Sequence, residues 1–275
     1  MKLTNSVNIV VAHGLEAKPI LSILGLEKLP EDSAYPVFTN DEGVSLVISG
    51  MGREAAQQAV NYLAGQEKEQ GHDEAGQTSA WLNIGIAGHC SFDVGEGLLI
   101  NKITEQASGE TFYPGTQLSG YKTASLITVD EIERGYQQDA VYEMEASGFY
   151  RAAQAFSSSE FIQAYKIISD NRENHVDHID LKEIPAMIRA REREIVKLVK
   201  DLFGLLRQLN SAQGLQHEYY DLKSTFRFSV TQGIQLKRLC QRFNAQGKNQ
   251  RLEEIASENY RSAKQLIAKM NDALD

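Results

Sequence analysis

Residues Tyr165–Asn171 read YKIISDN, and this stretch decides the fold. Ala164–Ile168 (AYKII) is short, largely apolar and rich in β-branched residues, the signature of a buried strand. The strand stops on Ser169 and Asp170, so an acid stands at its carboxyl end. Four other runs share this character: Val7–Val11 (VNIVV), Val44–Ile48 (VSLVI), Leu82–Ile86 (LNIGI) and Leu98–Ile103 (LLINKI). Between the strands, Arg53–Ala64 and Tyr142–Ala155 are rich in Ala and other helix formers and read as helices. Strand, turn, helix and strand in succession is the grammar of an α/β sheet covered by helices. Lys68–Ser79 is polar and aperiodic, so it reads as a surface loop. No internal repeat is visible.

Beyond Ile184 the pattern changes. Ile188, Ile195, Leu198, Leu202, Leu205 and Leu209 form a helical stripe. A turn is expected around Asn210–Gly214, then helical stretches over Ile234–Phe243 and Leu252–Leu274, separated by Asn244–Gln250. The chain thus divides into an α/β domain, 1–210, and a helical appendage, 211–275. The appendage carries its own apolar positions, Phe226, Ile234, Leu239, Phe243, Leu252, Ile255, Leu266 and Met270, which demand burial.

Composition bounds the function. With 42% hydrophobic and 24% charged residues among 275, the chain is an ordinary globular one, not disordered or collagen-like. No apolar run approaches the ~18 residues that cross a bilayer. The opening MKLTNSVNIVVAHGLEAK lacks a secretory apolar core, and two cysteines, Cys90 and Cys240, make no disulfide framework. A cytoplasmic location is the expectation, with no membrane association. The net charge of −9 is uneven: 11 Lys and Arg stand against 25 Asp and Glu in residues 1–179, and 17 against 12 in 180–275. No basic block interleaved with aromatics accompanies this, so the basic residues read as solvated helix faces rather than a nucleic-acid surface.

Three acids stand out by context: Glu16 after the first strand in AHGLEAKPI, Glu145 in VYEMEASGF, and Asp170. Ligands of open α/β sheets bind beyond the carboxyl ends of strands. Each acid alone reads equally well as a helix N-cap or a solvated carboxylate. Together with the SGMG turn at Ser49–Gly52, NIGIAG at Asn83–Gly88 and VGEGLLI at Val94–Ile100, they stand in one order. That ordered set resembles the nucleoside phosphorylase/nucleosidase superfamily, and most of all the methylthioadenosine/S-adenosylhomocysteine nucleosidases, over about residues 7–209.

The resemblance implies a three-layer α/β/α fold around a twisted mixed sheet, a homodimer, a small nucleoside as ligand, and no cofactor or metal. It makes Asp170 the general acid at the purine and Glu16 the group that activates the nucleophile. Glu145 anchors the ribose with Met144, and the rest of the substrate-binding set is Glu143, Ser169, Gly88, Ala87, Gly50 and Arg53. Hydrolysis is favoured, because Asn83 and Ala12-His13-Gly14 stand where related phosphorylases carry phosphate-binding elements. Phosphorolysis using Arg53, with Lys166 a second cation near the site, is the alternative. A catalytically silent nucleoside-binding or scaffold protein is a third. Ile86 replaces a serine that helps hold the nucleophile, and no aromatic for base stacking occurs at Val129–Ile132, which leaves Phe112 and Tyr113 as candidates. His175-Val176-Asp177-His178 has metal-donor types but no defined fourth ligand. His13 and His89 are candidates to line the pocket. Cys90 adjoins His89, yet neighbours on an extended segment point to opposite faces, so the two are not expected to meet.

Overall fold

The computed structural model describes residues 5–29, 34–69, 79–115, 117–258, 260 and 262–274, which form two compact units, Met1–Leu206 and Arg207–Asp275. The polar stretch 70–78 lies outside the described residues. In the first unit the strands are β1 (Val7–Val11), β2 (Glu27–Lys28), β3 (Val37–Thr39), β4 (Val44–Ile48), β5 (Ala80–His89), β6 (Gly97–Glu105), β7 (Thr111–Phe112), β8 (Thr123–Thr128), β9 (Val141–Glu143) and β10 (Ile162–Asp170). The helices are α1 (Gly14–Leu24), α2 (Arg53–Glu69), α3 (Ala146–Ala153), α4 (Ile184–Arg189) and α5 (Glu192–Thr225), the last running on into the second unit.

The strands form one mixed sheet. Parallel pairs join β4 to β1, β1 to β5, and β5 to β10, while β10 pairs antiparallel with β6 and β5 with β9. Because β6, β8 and β9 also pair in sequence, the strands β5, β10, β6, β8 and β9 close into a ring. Helix α2 packs with α3, and α1 with α4, giving helices in two groups about the sheet, an α/β/α arrangement. The α2–α3 side is filled by small residues, Ala56, Ala59 and Ala153, beside Val60, Leu63 and Phe149, packed on Val10, Val47, Trp81 and Ile168.

Several local expectations change. Tyr142 and Glu143 are strand rather than helix, so β9 carries Glu143 inward antiparallel to β5, and the helix starts only at Ala146. No turn breaks Asn210–Gly214. Helix α5 continues to Thr225, since a lone glycine costs only about 1 kcal/mol in a long helix.

The second unit adds α6 (Val230–Ala245), α7 (Asn249–Ser257) and α8 (Ala263–Asp272). Helix α6 starts earlier than its apolar pattern suggests because Ser229 and Gln232 form a reciprocal capping box, with amide-to-side-chain bonds of 3.2 and 3.0 Å. The stretch 252–274 is two helices rather than one, with Ser262 capping the second. Leu239, Phe243, Leu252, Ile255, Leu266 and Met270 are buried together, but Ile234 is 50% exposed and Leu236 takes its place in the core.

Candidate active site

A cavity of about 470 Å³ opens in the first unit where β1, β5 and β10 end. Its lining includes Glu16, Ala87, Gly88, Glu143, Met144, Glu145, Ser169 and Asp170, so eight of the ten residues singled out from the sequence meet there. Gly50 and Arg53 are not among the lining residues.

Glu16 arrives through helix capping. His13 caps α1; its Nδ1 accepts from the Leu15 amide at 3.1 Å, and Glu16 Oε2 accepts from the His13 amide at 2.9 Å. Glu16 Oε1 accepts from the Ile86 amide at 2.9 Å, which ties the helix start to β5. Burial raises the proton affinity of Glu16 above that of an ordinary carboxyl, against the opposing pull of the Ile86 amide and Lys166.

Glu143 is the most fully engaged acid. It accepts from Thr128 Oγ1 at 2.8 Å and from the amides of Glu145 and Ala146 at 3.0 and 2.9 Å, and pairs with Lys166 Nζ at 2.9 Å. Glu145 accepts from the Gly52 amide at 2.8 Å. Gly50 and Gly52 both adopt left-handed φ, 86° and 96°, a conformation glycine alone takes freely. This turn aims the Gly52 amide at Glu145 and puts Met51 at the cavity.

Lys166 is 1% exposed and feels Glu143, Glu145 and Glu16 together. Burial opposes its charge, but the three carboxylates outweigh that and hold it protonated above its ordinary value. Burial, reinforced by the neighbouring Glu143, pushes Glu145 up to about 7.

Asp170 is held differently. Ser169 Oγ donates to its Oδ1 at 2.5 Å, and the Tyr136 hydroxyl donates to its Oδ2. Tyr136 is buried, and no feature of its GYQQDA context marks it for this place. Tyr136 is not itself among the lining residues and stands behind Asp170 and Gly88, whereas the aromatic Tyr142 does line the cavity. Val129 and Ile132 line the cavity, whereas Phe112 is buried against Tyr150 and Tyr113 is 64% exposed, neither of them lining it.

The guanidinium of Arg53 is committed elsewhere. It pairs with Glu105 and lies 3.3 Å from Asp130, in a network that Arg151 extends to Glu105 and Glu110 at 2.5 Å each. Asn83 is buried, its Nδ2 donating to the Val10 carbonyl at 3.1 Å.

The sequence expectation for Cys90 and His89 fails, because β5 ends at His89 and alternation ends with it. Cys90 Sγ lies 3.7 Å from His89 Nδ1 and 3.5 Å from Asp139 Oδ1. Among the described residues, His89, Cys90 and Asp139 are the one gathered set of metal-donor types. Their chemistry does not suit an ion. His89 Nδ1 accepts from the Ser91 and Phe92 amides at 3.1 and 3.2 Å, so the ring proton sits on Nε2, facing Asp139 at 3.4 Å. A metal on Nε2 would leave the imidazole without either proton. His89 does not line the cavity, and His13 does.

No protein-family model matches the sequence, and no curated protein matches it. Solved structures do match in fold. The 5′-methylthioadenosine nucleosidase of Arabidopsis thaliana aligns with a TM-score of 0.56 at 12% identity, over 72% of this chain and 97% of that one. The 5′-methylthioadenosine/S-adenosylhomocysteine nucleosidase of S. pneumoniae gives 0.53 at 18%, over 70% and 96%. The S-adenosylhomocysteine nucleosidase of Streptococcus pyogenes gives 0.54 at 16%, over 71% and 95%. With a central mixed sheet, helices on it and an acid-lined cavity at the strand ends, the chain has a nucleoside phosphorylase/nucleosidase-like fold.

Proposed function

We propose that this protein hydrolyses the N-glycosidic bond of a purine-type nucleoside. One observation carries the reading: Glu16, Glu145 and Asp170, far apart in sequence, line a single cavity at the strand ends. In this reaction the bond from the sugar C1′ to the base nitrogen breaks and a bond from water oxygen to C1′ forms. Glu16, its proton affinity raised by burial, takes the proton from water. Asp170 gives a proton to the departing base, and Glu145 holds the ribose hydroxyls with Met144 packed beside them.

Water is favoured over phosphate on electrostatic grounds. At the start of α1, a ready anion site, the Leu15 amide is already taken by His13 and the N-cap amide of His13 by Glu16. Five acids line the cavity, with Lys166 buried among three of them, and Arg53 is spent on Glu105. The test is base release from a nucleoside panel with and without phosphate, followed by chromatography of the sugar. Free ribose formed without phosphate is expected; strict phosphate dependence and a ribose 1-phosphate product would replace the reading with phosphorolysis. A catalytically silent nucleoside-binding protein is the second reading, favoured by the Tyr136 hydroxyl resting on Asp170. Base release in that panel excludes it. The protein acts as a homodimer in this proposal, as the nucleosidase resemblance implies.

Residues 211–275 are proposed as a helical appendage that supplies none of these acids. Every residue lining the cavity lies between Ala12 and Ile184. A chain ending after Asn210 should therefore still release base, with lower solubility or a changed oligomeric state. Complete loss of cleavage in a truncated chain that circular dichroism shows folded would assign the appendage a part in the site.

A further inference from the structure

We propose that Tyr136 is a gate on the base side of the cavity, competing with the ligand for the edge of Asp170 that a departing base would need. The inference rests on the reading of the cavity as a purine-nucleoside site. Asp170 has two oxygens, and both are occupied: Oδ1 by Ser169 and Oδ2 by the Tyr136 hydroxyl. The Tyr136 ring stands over Gly88, a residue of the cavity wall. A Cβ on Gly88 would come within 2.5 Å of Asp170 Oδ2 and 2.7 Å of Tyr136 Cε1. Glycine at 88 therefore serves the approach of Tyr136 to Asp170.

The backbone of Tyr136 is strained into this place. Its φ of 43° is the one positive φ at a non-glycine position among the described residues. Three contacts hold it there. Glu133 Oε1 accepts from the amides of Gly135 and Tyr136 at 2.5 and 3.1 Å, and Arg172 Nη2 donates to the Tyr136 carbonyl at 2.6 Å. The ring packs edge-on against Tyr142 and His175, each centroid at 6.3 Å. Residues 129–140 carry no helix or strand, so the ring is borne by a loop rather than by the sheet. Burial, with the Asp170 contact, pushes the phenol above its ordinary value, and it stays a donor across the physiological range. A ligand that seeks Oδ2 therefore competes with a hydroxyl already seated on that oxygen and held there by a strained residue.

Calorimetric titration of the full chain with adenine tests the gate. Tyr136→Phe keeps the ring and removes the bond that binding must break, so adenine should bind about tenfold more tightly than to the wild type. The gain should vanish in an Asp170→Ala background, where nothing is left to compete for; a general loosening of the loop would persist there. Equal affinities for wild type and Tyr136→Phe, weaker binding by the variant, or a gain that survives Asp170→Ala would each overturn the gate while leaving the base site standing. If wild type, Tyr136→Phe and Tyr136→Ala all fail to bind adenine, the purine reading of the cavity is wrong and the gate falls with it.

Discussion

The two ends of the cavity are built from different materials. Around Glu16, Glu143 and Glu145 the carboxylates are held mainly by backbone amides, those of His13, Ile86, Gly52, Glu145 and Ala146, and by the buried Lys166. At Asp170 the holding groups are side-chain hydroxyls, from Ser169 and Tyr136. Backbone amides move only if an element moves, whereas a hydroxyl rotates. The first end is thus suited to fixing a sugar and a water in one geometry, and the second to an acid that must exchange partners during a proton transfer. Charge follows the same division, with Glu16, Glu143 and Glu145 sharing the buried Lys166 at the first end, while Asp170 at the second is held by hydroxyls.

The largest effect is expected at the mobile end. Asp170→Asn keeps the shape and the Ser169 contact but removes the donated proton, so kcat should fall by about 10³-fold or more while nucleoside binding stays within roughly tenfold. Single-turnover base release and equilibrium binding on the same preparation check this. A variant with near-normal kcat would erase the distinction between the two ends.

The next effect falls on the fixed end and appears as stability. Lys166→Met leaves Glu143 buried without its 2.9 Å partner and removes the charge that Glu16 and Glu145 also feel. Breaking a buried pair by deleting one member costs about 3–5 kcal/mol. Urea unfolding at neutral pH should show a loss of that order, partly recovered as the pH is lowered and the acids take up protons. Equal loss at all pH values would mean that Lys166 acts by packing alone.

Glu145 gives a smaller, pH-dependent signature. Its folded-state value of about 7 lies above the ordinary 4.5, so the folded protein binds this proton more tightly than the unfolded chain does. The contribution is complete below pH 4.5 and is lost as the pH rises towards 7, with a slope of about 1 kcal/mol per pH unit. Comparing unfolding across that window in wild type and Glu145→Gln should show a shallower decline in the variant, the remainder coming from the buried Glu16.

The sequence carried the fixed end better than the mobile one. Strands β1 and β4 are legible residue for residue, because short β-branched runs ended by small or polar residues leave few other readings. Glu16, Glu145 and Asp170 stand out because each follows such a run or an ordered motif. The engagement of Glu143 was hidden by reading Tyr142 and Glu143 as helix, which misses the Thr128 and Lys166 contacts that β9 creates. Arg53 looked available because its partner Glu105 lies 52 residues away, on another strand. Tyr136 was invisible for the same reason, compounded by a left-handed φ that sequence patterns assign to glycine or asparagine. Periodicity records which face is buried; it does not record which distant group a buried polar atom meets.

The smallest effect expected is at Ser169. Its hydroxyl lies 2.5 Å from Asp170 Oδ1 and 3.3 Å from the Ala87 carbonyl, so Ser169→Ala removes one of two hydroxyl donors to the acid and leaves Tyr136 in place. A hydrogen bond contributes about 0.5–1.5 kcal/mol net, and part of that returns when water or the remaining hydroxyl takes over the oxygen. A decrease in kcat of roughly tenfold is expected, with KM little changed, because Ser169 orients the acid rather than the ribose. Combining Ser169→Ala with Tyr136→Phe sharpens the contrast between the ends. If the two hydroxyls share one task, the double variant should lose more than the product of the single effects, since Asp170 then has no side-chain donor at all. Simple multiplicativity would show that Oδ1 and Oδ2 are held independently, and that each hydroxyl supports a separate edge of the acid.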